Sequence, residues 1–142
     1  MAKAAKSAPA KYADKSAGQP ELLLLFNSIR KLVMKYAKGN YVAKADNPGH
    51  YELYYNKEVE QAGRTYPEIC FASVLIQKGY VGFYFFPVYV DVALTKELDT
   101  ELLKTLKGKT CFHIRAKDSG LLNAIRDALK TGYHYYQSKG WK

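Results

Sequence analysis

The sequence predicts a two-layer α+β domain, with an antiparallel sheet of about five strands flanked by an N-terminal and a C-terminal helix. Three observations predict it. Stretches near both ends carry apolar residues at helical spacing, and the region between them shifts to a period of two. The run Ile69 to Val90, ICFASVLIQKGYVGFYFFPVYV, is apolar and aromatic almost throughout and is broken by Lys78-Gly79, the pattern of a β-hairpin. Helices before and after such strands pack on one face of an antiparallel sheet, which makes two layers.

Residues 1–18 are rich in Ala, Lys, Ser and Gly and carry one aromatic residue, so they are read as a flexible basic tail preceding a domain over 19–142. From Glu21, the residues Leu22, Leu25, Phe26, Ile29, Leu32, Val33 and Tyr36 form a buried helical stripe that ends near Gly39. Tyr41 to Lys44 and Tyr51 to Asn56 read as strands around an Asp46-Asn47-Pro48-Gly49 turn, and 57–67 as a polar loop. Glu68 to Gln77 and Tyr80 to Phe86 form the hairpin, which Pro87 ends. Leu98, Leu102, Leu103 and Leu106 suit a short helix, Thr110 to Arg115 a further strand. Asp118 or Ser119 begins a last helix, whose buried face is read as Leu122, Ile125, Ala128, Leu129 and Tyr133.

With 142 residues, 48% of them hydrophobic and 25% charged, the chain can bury a core as one domain. No apolar stretch approaches the roughly 20 residues that cross a bilayer, so no membrane partner and a cytoplasmic location are expected. Two cysteines, Cys70 and Cys111, are too few for a disulfide framework and are read as reduced thiols. The net charge of +9 admits nucleic acid as a partner through phosphate contacts. The basic residues are scattered, however, which weakens that reading and favours a solvated basic surface.

Strand alternation puts Tyr80, Gly82, Tyr84 and Phe86 on one face of their strand and Val81, Phe83 and Phe85 on the other. Both faces are apolar or aromatic, and helices cover only one, so the second face needs another partner. Tyr51, Tyr55, Phe71, Tyr80 and Tyr84 are the candidate ligand-binding surface, aromatic with hydroxyl handles. Three covers stay open: the chain's own tail and loops, a second copy in a homodimer, or a ligand. Cys111 and His113 lie two apart on a strand and share a face, so with His50 they are the candidate metal set. No catalytic residue and no cofactor is expected, because no nucleophile-elbow, phosphate-loop, dinucleotide or zinc-protease motif is present.

The segments DNPGHYELYYNK (Asp46 to Lys57), FASVLIQKGYVGFYFFPVY (Phe71 to Tyr89), ELLKTLKGKTCFHIR (Glu101 to Arg115) and the closing Gly140-Trp141 resemble the YdhG-like family, domain of unknown function 1801. The resemblance runs from Gln19 to the end and implies an antiparallel sheet with terminal helices and no settled activity. One branch of the family implies a frataxin-like iron role, which relies on an acidic first helix. Here that helix has Glu21 against Arg30, Lys31, Lys35 and Lys38, and GNYVAKADNPG stands where many relatives have a Trp-Gly-x-Pro motif. A non-catalytic binding module is therefore expected first, then a metal-handling protein, then a weak nucleic-acid binder.

Overall fold

The computed structural model describes residues 13–142 and shows an α+β domain. Helix α1 (Pro20–Met34) leads into β1 (Tyr41–Asn47) and β2 (His50–Tyr55), followed by β3 (Val59–Gln61), β4 (Arg64–Tyr66), β5 (Ile69–Gln77) and β6 (Tyr80–Phe85). Helix α2 (Pro87–Val90), a 3-10 turn over Val92–Glu97, α3 (Thr100–Leu103), β7 (Leu106–Lys107), β8 (Cys111–Ile114) and α4 (Ser119–Ser138) complete the chain. The main sheet has six antiparallel strands in the order β1-β2-β5-β6-β8-β7, one more than the periodicity suggested. The extra strand, β7, has two residues, too few for an alternation to be read.

The segment 57–67, expected as a loop, contains a second small sheet, the β3–β4 hairpin, closed by Ala62 and Gly63 with φ of 54° and 77°. Its strands are mostly polar, so no hydrophobic alternation marks them. The basic tail expected over 1–18 lies outside the described residues up to position 12. From Lys15 onward the chain is held against the β5–β6 turn. Lys15 Nζ donates to Gln77 Oε1 at 3.0 Å, and the Gln19 side chain donates to Gln77 O at 3.1 Å and accepts from Gly79 N at 2.8 Å.

The first face of the sheet is the core. Val81, Phe83 and Phe85 of β6, Phe112 and Ile114 of β8, and Val74 and Ile76 of β5 pack beneath Leu25, Phe26, Ile29 and Val33 of α1 and Ile125, Ala128, Leu129 and Tyr136 of α4. Asp118 caps α4 as expected, accepting from the backbone of Gly120 and Leu121. The buried stripe of α4 is rotated from the expected one, through Gly132 and Tyr136 rather than through Leu122 and Tyr133. Two contacts explain it: Gly132 admits the ring of Phe85, and the Tyr136 hydroxyl donates to Cys70 O at 2.6 Å.

Candidate functional site

Register decides which side chains share the second face. Ser73 pairs with Tyr84, Leu75 with Gly82 and Gln77 with Tyr80, while Glu52 pairs with Ser73 and His50 with Leu75. On the far side Tyr84 pairs with Cys111 and Gly82 with His113. The second face therefore carries one cross-strand row of Glu52, Ser73, Tyr84 and Cys111, and a neighbouring row of His50, Leu75, Gly82 and His113.

The expected five-residue aromatic surface does not form as a unit. Tyr80 and Tyr84 lie on the second face, but Tyr51 and Tyr55 pair with Val74 and Ile69, which places them on the core face. Phe71 is a different case. Simple alternation from Ser73 puts it beside Tyr84, but a β-bulge on β5, between the Leu53–Ala72 and Tyr54–Cys70 pairs, inserts Phe71 as an extra residue and turns it inward. There its ring meets Tyr36, Tyr41, Phe85, Tyr133 and Tyr136.

What remains on the second face is a preorganised strip. Tyr80 stacks on His113 with centroids 3.9 Å apart and an interplanar angle of 13°, and the Arg115 guanidinium lies 5.5 Å from the Tyr80 ring. The Tyr84 ring lies back over Gly82, where a Cβ would come within 2.9 Å of its Cε1, so this placement depends on glycine. Burial raises the pKa of its hydroxyl above the ordinary phenol value, with the neighbouring Cys111 adding to the shift. Tyr80, Tyr84, Cys111 and His113 are all half-buried, with an edge open to solvent.

Toward β2 the face becomes closed and polar. His50 Nε2 donates to Glu52 Oε2 at 2.8 Å, with the two residues only 1% and 5% exposed. Ser73 Oγ lies 3.6 Å from Cys70 Sγ, and Tyr54 packs against the same residue. Of these groups only His50 was among the expected site residues, although His50 and Glu52, two apart on a strand, signalled one face. What could not be read was their burial.

The candidate metal set does not converge. Cys111 and His113 share a face as expected, but β5 and β6 separate His50 on β2 from His113 on β8, a distance of roughly 14 Å at ~4.8 Å per strand. His113 is committed to its stack on Tyr80. Among the described residues no group of three or more His, Cys, Asp or Glu side chains is placed to hold an ion. Partial burial, then the charges of Arg115 and Lys107, lower the His113 pKa, so its imidazole is neutral at pH 7. Burial raises both thiols, Cys70 up to about 12, which keeps them protonated and poor nucleophiles at neutral pH.

A pH dependence follows. A thiol or phenol whose pKa is raised in the fold loses its proton more readily in the unfolded chain. Its contribution is complete below the unfolded pKa and is lost as pH climbs through the folded one. Cys70 starts from 9.0, and Tyr41, Tyr54 and Tyr136, raised chiefly by burial, start from 10.0. Stability is expected to be flat near neutrality with respect to these groups and to fall from about pH 9 upward, by as much as ~1.4 kcal/mol per pH unit for each group titrating. Urea midpoints measured from pH 7 to 11 check this, and Cys70→Ala should make the decline above pH 9 shallower, leaving Cys111 and the tyrosines to carry the rest.

No known protein family, curated protein or solved structure matches the chain. Among the described residues no helix is long and apolar enough to cross a membrane.

Proposed function

We propose that this chain is a non-catalytic binding domain, YdhG-like in family, whose working surface is the Tyr80, Tyr84, Cys111 and His113 strip on the second sheet face. One observation carries the reading: these half-exposed rings are held in fixed orientations by strands β6 and β8 while the helices occupy the opposite face. Rings with few rotatable bonds lose little entropy on binding, and stacking on rigid strands reduces that loss further. The phenol, imidazole and guanidinium edges suit a small planar molecule with polar substituents. Protonated thiols and a stacked, neutral His113 favour recognition over nucleophilic or metal chemistry.

The test is a fragment screen by NMR, following the Tyr ring and His113 resonances of the full chain. Planar fragments are expected to shift Tyr80, Tyr84 and His113 saturably, and Tyr84→Ala should weaken them at least fivefold without loss of fold. Fragments that bind while leaving those three rings unmoved would place the working surface elsewhere.

A further inference from the structure

Glu52 is a buried carboxylate with half of its hydrogen bonding accounted for. Oε2 accepts from His50, whereas Oε1 is buried and has no hydrogen-bond partner among the described residues. A buried oxygen left in this state is costly, and more so when it carries charge, so the position calls for a donor. Among the described residues the nearby side chains do not supply one. Ser73 Oγ is 3.6 Å from the Cys70 thiol, Tyr54 packs against Cys70, and Lys44 is paired with Glu68 at 2.9 Å. The residues directly across from Glu52 are small, Ala45 on β1 and Ser73 on β5. Beyond Ser73 in the same row stands Tyr84, two strand spacings or roughly 10 Å from Glu52.

We infer that Glu52 is the anchor for an ammonium group on a ligand whose ring lies against Tyr84, which makes the ligand class aromatic amines. This rests on the binding reading above and adds the charge of the ligand to it. A carboxylate oriented by His50 is complementary to an N–H donor of positive charge, and the charge-assisted bond supplies the partner that Oε1 lacks. Serine at position 73 is the one small residue that separates Tyr84 from Glu52 in this row, where a larger side chain would stand between ring and ammonium.

Three probes of one size separate the contributions: 2-phenylethylamine, 2-phenylethanol and 3-phenylpropionate, titrated at pH 7 into the full chain by NMR and calorimetry. The amine is expected to bind at least tenfold tighter than the alcohol, a difference of about 1.4 kcal/mol, and the acid weakest. Glu52→Gln should erase the preference of amine over alcohol while leaving alcohol affinity unchanged. Equal binding of amine and alcohol to the wild-type chain would overturn the anchor and leave the aromatic surface standing. Tightest binding by the acid would overturn it in favour of Arg115 and Lys107. Failure of all three to bind, with Tyr80 and His113 unmoved, would remove both readings. The wild-type comparison of probes is decisive even if Glu52→Gln does not fold.

Discussion

Phe71→Ala is expected to destabilise the domain by about 3–5 kcal/mol, the range for emptying a packed aromatic site. Phe71 is fully buried and its ring contacts five others, from the segment after α1, from β1, from β6 and twice from α4. Those neighbours sit on different elements, so they cannot collapse together into the space left behind, which puts the loss toward the upper end. Tyr80→Ala removes a ring of similar size from the half-exposed second face and should lose no more than about 1 kcal/mol. Urea denaturation of the two variants reads the contrast directly. Equal losses would mean that the bulge does not turn Phe71 inward.

That pair of residues also shows what was legible in the sequence. Periodicities of 3.6 and 2 located both long helices and the β5–β6 hairpin, because each signal is local and repeats several times. Assigning residues to faces required pairing register, which is set between strands. Tyr51 and Tyr55 were thus joined to Tyr80 and Tyr84 although the register places them opposite. Phe71 was lost to a single inserted residue, because a bulge inverts the parity of everything beyond it. The His50–Glu52 pair was visible as two polar residues on one face, but its burial depends on tertiary packing. The rotated stripe of α4 has the same origin, since Gly132 and Tyr136 are buried by what they meet on β5 and β6.

Gly132 marks where α4 comes closest to the sheet, and adding even one methyl group there should be costly. A Cβ at this position would lie 2.5 Å from Phe85 Cζ and 2.8 Å from both Phe85 Cε1 and Pro87 Cγ, closer than real Cβ atoms come. Alanine is better than glycine in a helix interior by about 1 kcal/mol, so an unconstrained site would gain stability. Here overpacking opposes the gain by about 1–3 kcal/mol. Overpacking should win, because Phe85 is fully buried and bounded by Phe71 at 6.3 Å and Phe83 at 5.7 Å, leaving its ring nowhere to swing. Gly132→Ala is therefore expected to lose about 1–2 kcal/mol net, and Gly132→Val more than about 3 kcal/mol, read from urea midpoints. Combining Gly132→Ala with Phe85→Leu should recover part of the loss, giving a coupling of about 1 kcal/mol that additive, unrelated defects would not show. Phe85 is the last residue of β6 and follows Tyr84 directly, so the same pressure acts on the strand that carries the second-face ring. In Gly132→Ala the Tyr84 resonances should shift even though the substitution lies on the opposite side of the sheet, whereas His50, two strands away, should not move.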